Sequence, residues 1–233
     1  MKSSAILFFL LFISGGFLCS QGNEIVRINT LRTGTEALTN RIYKYPDFVD
    51  GRVIFHDSTH ADAKLNYHQV FSQILFIAPS GDTLALANPG TTRMVIVGED
   101  SFYYHDKAFL QMRANFPGIN LAVKSTLKYV GQEKAGPYGT YSTVASTNSN
   151  STVTTDDQIT QYIEIDQNTV YVFKHEYFLA DRFNNFFRAT KKGFYNIFSK
   201  NEKKIREYIK QNPVDFDKEE DLTRLLNYAN TLN

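Results

Sequence analysis

From residue 24 to about residue 134 the chain reads as short strand-prone runs divided by turns, and no other feature constrains the fold so tightly. Val53-Ile54-Phe55 is one such run. Residues 70–77 alternate imperfectly and end in Ala78-Pro79-Ser80-Gly81-Asp82, after which residues 83–87 resume. Proline presets the backbone at the first turn position and glycine tolerates positive φ, so this segment predicts a hairpin. Residues 94–97, Gly98-Glu99-Asp100 and residues 102–105 predict a second. Closely spaced strands joined by tight turns pair antiparallel. Residues 121–130 read as a strand or as the end of a helix. Strand composition returns at 161–165 and 169–179, and residues 181–185 read as a turn.

Residues 135–157 interrupt this pattern. Ser, Thr and Asn dominate, there is no helical period, and Val144 and Val153 are the strongly apolar positions. Burial returns little to such a segment, while each ordered residue costs about 1–2 kcal/mol of backbone entropy. It predicts a flexible loop on the sheet domain, with Tyr138 and Tyr141 as its candidate ligand-contacting side chains.

The tail is helical. Phe194, Ile197 and Phe198 fall at i, i+3, i+4. Ser199 and Glu202 have capping-box spacing, so a helix should start at Lys200. Its stripe is Ile205, Tyr208 and Ile209, and Pro213 ends it. Leu222, Leu225, Leu226 and Ala229 form the stripe of a last helix. Each stripe is one-sided and must pack on a neighbour. The expectation is an α+β fold: a mostly antiparallel sheet over residues 23–186, with a curl toward a barrel or sandwich as a variant, and short C-terminal helices over 187–233 packed on it.

Residues 1–22 carry a different signal. Lys2 precedes an apolar run over residues 5–18, and Ser20-Gln21-Gly22 supplies small residues for cleavage. This pattern predicts a secretory signal peptide. The run is short against the roughly 20 residues needed to cross a bilayer, so a membrane anchor fits less well. No later run is long enough to span. Cys19 is the single cysteine, so the cleaved chain would hold no disulfide and no thiolate. The chain should be secreted, periplasmic or otherwise in the cell envelope.

Charge excludes other classes. Lysine and arginine number 25 against 24 acids, which does not suit a bulk polyanion binder. No nucleic-acid module is present. Locally the balance tips: residues 182–210 hold nine Lys and Arg against two Glu. That basic stretch reads as solvated helix faces or as a docking face for an anionic partner.

Asn66-Tyr67, Phe76-Ile77, Gly81-Asp82-Thr83, the Val-Ile-Val-Gly run, Phe102-Tyr103, Gly136-Pro137-Tyr138-Gly139 and the tail from Phe194-Tyr195-Asn196-Ile197-Phe198 to Glu220-Asp221-Leu222 together resemble a group of uncharacterised secreted proteins of Bacteroidota-type bacteria. The resemblance spans roughly residues 45–230. It implies an envelope location and brings no activity and no site residues.

Chemistry-bearing residues are sparse. His56, His60 and His68 fall within thirteen residues, with Asp57 and Asp62 between them. His56, His60, Asp62 and His68 are the candidate metal ligands, because on a helix His56 and His60 would share a face. The flanking residues favour strand and turn instead. His56-Asp57-Ser58 has the letters of a catalytic triad without the Gly-x-Ser-x-Gly elbow, and sequence neighbours rarely converge as a triad must. His175 and Glu176, adjacent on a strand, would point to opposite faces. No cofactor motif is present, and no catalytic residue is assigned. The expected role is non-enzymatic binding of an envelope protein, a glycan or an apolar ligand. The alternative is an enzyme, metal-dependent or not, built on the His56–His68 region.

Overall fold

The structure, a computed structural model, describes residues 24–28, 42–135, 141–144 and 169–232, with side chains over 42–126 and 172–232. The expected signal segment 1–22 and Tyr138 lie outside the described residues.

Among the described residues, twelve strands precede three helices. They are β1 (Glu24–Ile28), β2 (Val49–Phe55), β3 (His60–His68), β4 (Gln73–Ile77), β5 (Thr83–Ala85), β6 (Thr92–Val97), β7 (Asp100–His105), β8 (Ala108–Phe116), β9 (Ile119–Ala135), β10 (Tyr141–Val144), β11 (Thr169–Asp181) and β12 (Phe186–Arg188). The helices are α1 (Lys191–Ile197), α2 (Glu202–Gln211) and α3 (Glu219–Asn230). The fold is α+β, as the sequence predicts. The strand order is β1-β11-β9-β8-β7-β6-β2-β3-β4-β5, with β10 on β9 and β12 on β11. Both expected hairpins form, as β4–β5 and β6–β7. Residues 121–130, ambiguous in sequence, belong to the long strand β9. Of the predicted loop 135–157, residues 141–144 form β10 against Gln132–Ala135. Residues 136–140 and 145–157 lie outside the described residues.

The sheet curls without closing. The turn between β3 and β4 reaches β8 and β9, far along the strand order. There the Phe109 N–H donates to the Ser72 carbonyl (2.7 Å), and the Tyr67 hydroxyl donates to the Phe109 carbonyl (3.0 Å). Val53, Leu65, Tyr67, Ile74, Val95, Val97, Phe102 and Phe109 fill the curl. Gly51 is required here. A Cβ on it would sit 2.6 Å from the Ile96 carbonyl oxygen and 2.6 Å from Leu65 Cδ1.

A second core lies between sheet and helices. Ile119, Leu121 and Val123 of β9 and Tyr177 and Leu179 of β11 meet Phe194, Phe198, Ile205, Ile209, Leu222, Leu225 and Leu226. A bulge in β8 between Met112 and Ala114 shifts its side-chain alternation, which brings Ala114 and Phe116 onto the helix side. Full burial of each large apolar side chain contributes about 1.5–3 kcal/mol, so this face supplies much of the stability.

The helix starts depart from expectation. Thr190 caps α1, its side chain accepting from the Gly193 N–H. The Ser199–Glu202 box does not form. Ser199–Asn201 is a 3-10 turn, α2 starts at Glu202, and Glu202 takes Arg206 (2.7 Å) instead. In α3 the first turn holds Glu219, Glu220 and Asp221, where the helix dipole favours anions. Glu219 also accepts two bonds from Arg113 of β8 (2.9 and 3.2 Å), fixing α3 to the sheet.

Candidate functional site

The histidine-rich segment lies in a hairpin and a strand. His56 occupies the exposed β2–β3 turn, and His60 and His68 are the two ends of β3. Eight residues of strand separate their Cα atoms by about 27 Å, whereas a shared metal needs ligands about 2 Å from one point. Asp62 is engaged by Arg52 Nε and Nη2 (2.6 and 3.0 Å). Among the described residues, no three His, Cys, Asp or Glu are placed to hold a metal. His68 is a core side chain. It stacks on Phe71 (4.5 Å) and meets the edge of Tyr43 (5.5 Å), and its Nδ1 accepts from the Phe71 N–H (3.3 Å). Burial pushes it down to about 4, so it is neutral at pH 7.

Two further polar groupings are structural. Ser125 Oγ and His175 Nδ1 lie 2.9 Å apart across the β9–β11 register. Glu176 turns to the opposite face, as strand alternation requires. Asp100 hydrogen-bonds the Tyr45 hydroxyl, accepts from Gln111 Nε2 (2.6 Å) and pairs with Lys44 (3.5 Å). Burial acts to raise the Asp100 carboxyl, but these partners outweigh it and hold it below the usual carboxylate range. The Tyr45 hydroxyl also lies 2.9 Å from the Val97 carbonyl, tying the segment before β2 to the β6–β7 turn.

The arrangement that can bind something is on the sheet face away from the helices. Alternation puts Glu176 and Phe178 of β11, Lys124 of β9, and Phe186 and Arg188 of β12 on that face. With His105, Asp106 and Leu110 they line a cleft of about 180 Å³. Its apolar part is aromatic. His105 lies 5.1 Å from Phe186 and 5.9 Å from Phe178, and Tyr103 lies 6.1 Å from Phe186. The Arg188 guanidinium sits 5.5 Å from the Phe178 ring centre and bonds Glu176 (2.9 Å), which also pairs with Lys174 (3.3 Å). Burial raises the Glu176 carboxyl, but Arg188, Lys174 and Lys124 together outweigh it and lower it. The rim is strained. Asp106 and Lys107 form the two-residue β7–β8 turn with φ of 47° and 61°. A lysine in that conformation costs on the order of 1 kcal/mol.

No known family model, curated protein or solved structure matches this chain.

Tyr103 borders the cleft, while Tyr177 is buried under the helices. Tyr141 lies on β10 and is described by its backbone alone. The sequence reading missed His105, Phe178, Phe186 and Arg188. The alternation of Glu176 and Phe178 was the available signal. Beyond the cleft, the β11–β12 hairpin exposes Phe183 (74 %) and Phe187 (41 %) within the basic stretch.

Proposed function

We propose that the chain is exported to the cell envelope after removal of residues 1–22 and acts there by binding, taking one ring-sized group, such as the terminal unit of a glycan, in the cleft of β7, β8, β9, β11 and β12. The observation that carries this reading is the pairing of aromatic faces with fixed charges: Phe178 and Phe186 beside His105, with Glu176 and Arg188 bonded to each other. Aromatic faces take the apolar face of a ring, and oriented polar groups at the rim fix its direction. At about 180 Å³ the cleft is below the roughly 300–1,000 Å³ of a drug-sized site, which favours a single ring over an extended ligand. The export part rests on the sequence of residues 1–22. Among the described residues, no helix is long and apolar enough to cross a membrane.

The test is an NMR titration of the wild-type chain with neutral and uronic-acid-containing oligosaccharides. Saturable shifts clustered at His105, Phe178, Phe186 and Arg188, lost in Arg188→Ala, support the reading. An absence of saturable shifts in that cluster with every oligosaccharide sinks it. Mass spectrometry of the protein recovered outside the cytoplasm tests the export step: a mature chain that retains residues 1–22 refutes cleavage.

A further inference from the structure

The turn joining β11 to β12 presents its most apolar side chain to solvent. Phe183 is 74 % exposed, with the Arg182 guanidinium 5.4 Å from its ring centre. A fold with two filled cores does not need a phenylalanine there. The N–H groups at the tip of the turn are satisfied within it. Asp181 Oδ1 accepts from the Phe183 N–H (2.8 Å) and the Asn185 N–H (2.9 Å), and the Asp181 carbonyl accepts from the Asn184 N–H (2.9 Å). The Asp181 N–H donates to the Asn185 carbonyl (3.1 Å), and Asn185 Nδ2 donates to Asp181 Oδ2 (2.8 Å). Moving this tip into a less polar medium therefore strands no N–H group of residues 183–185, which lowers the cost of inserting the loop into a lipid interface. Because the turn is already fixed, little conformational entropy is lost on docking.

Charge points to the same surface. Residues 182–192 contain Arg182, Arg188, Lys191 and Lys192 and no acid, and the neighbouring Asp181 carboxylate is taken up by the N–H groups of the turn. Arg188 is committed to Glu176, while Arg182, Lys191 and Lys192 are exposed. Phe187, 41 % exposed on β12, extends the apolar surface of the hairpin. Long basic side chains beside an exposed aromatic ring match an anionic interface, where the ring enters the headgroup boundary and the cations stay at the phosphates.

We propose that the β11–β12 hairpin docks the protein on an anionic lipid bilayer surface, with Phe183 inserted and Arg182, Lys191 and Lys192 at the headgroups. The inserted tip, residues 182–185, is not among the residues that line the cleft, so either proposal can fail alone.

The probe is a set of vesicles of phosphatidylcholine, alone or with one-third phosphatidylglycerol. Wild-type and variant chains are recovered from secreting cells in the same way, so any contribution from residues 1–22 is common to all. Phe183→Ser should weaken sedimentation with the anionic vesicles by about tenfold, and Arg182→Gln should weaken it less, in a salt-dependent way. The chain has no Trp, so Phe183→Trp places a single indole at the tip. Its emission should shift to the blue with anionic vesicles and not with neutral ones. Leu84→Trp, on the exposed strand β5 at the other end of the strand order, should not shift. Equal binding by wild type and Phe183→Ser overturns the proposal. So does equal binding to neutral vesicles, or binding to polyglutamate without binding to vesicles, which would assign the hairpin to an acidic protein.

Discussion

His68 makes the stability of this protein depend on pH in a calculable way. Its imidazole is buried between Phe71 and Tyr43, and burial lowers it from the ordinary 6.5 to about 4. Above pH 6.5 the ring is neutral in both folded and unfolded chains, and its contribution is fully present. Between pH 6.5 and 4 the unfolded chain takes up a proton that the folded chain refuses, so stability falls as pH falls. A displacement of about 2.5 units corresponds to about 3 kcal/mol at most, of which about 2–3 kcal/mol is gone by pH 4.5. Asp100 and Glu176 also titrate below neutrality, so the His68 share has to be isolated. Urea denaturation followed by circular dichroism, at pH 7.5 and 4.5, compares wild type with His68→Gln. The stability advantage of wild type should shrink by about 2–3 kcal/mol at the lower pH. An advantage independent of pH refutes the argument. NMR titration of the wild-type His68 ring decides the matter without a variant, because a midpoint near the ordinary 6.5 would show that the ring is not sealed in the core.

Other substitutions test other contacts. Ile209→Asp puts a charge into the helix–sheet core and should cost about 3–5 kcal/mol; an unchanged melting temperature would place that face in solvent. Gly193→Ala should destabilise by about 1–3 kcal/mol although alanine favours helices, because its Cβ would run into the Arg188 carbonyl oxygen; a thermal melt showing stabilisation refutes the close approach. Lys107→Gly should stabilise by about 0.5–1 kcal/mol, since glycine adopts the positive φ of the β7–β8 turn without strain, and a lower melting temperature would contradict that turn geometry.

Much of the architecture was legible because its causes are local. The Pro-Ser-Gly-Asp turn fixes the β4–β5 hairpin, and Gly98 with positive φ fixes the β6–β7 hairpin. The helix stripes name the residues that become the second core. What could not be read depends on partners distant in sequence. The Ser199–Glu202 box matched its pattern, yet Glu202 takes Arg206 and the turn tightens to 3-10 geometry. Arg113 and Glu219 meet across 106 positions, and no spacing rule reaches that far. The histidine segment was ambiguous because Asp57-Ser58-Thr59 conceals a continuous strand immediately after it. Once β3 exists, its length alone keeps His60 and His68 apart. The cleft draws on five strands, so sequence could show only the Glu176–Phe178 alternation on one of them.

The outermost strand carries a consequence for the order of events in folding. β1 pairs with residues 169–173, 141–149 positions downstream, so a strand made early is among the last to find its neighbour. While the chain emerges from a ribosome or a translocon, the 24–28 segment has no template, whereas the β6–β7–β8 meander can zip locally as soon as its turns appear. The molecule therefore assembles from its middle outward. A chain interrupted before residue 169 would retain the curled core but leave the 24–28 backbone unsatisfied, an edge open to any strand that reaches it first.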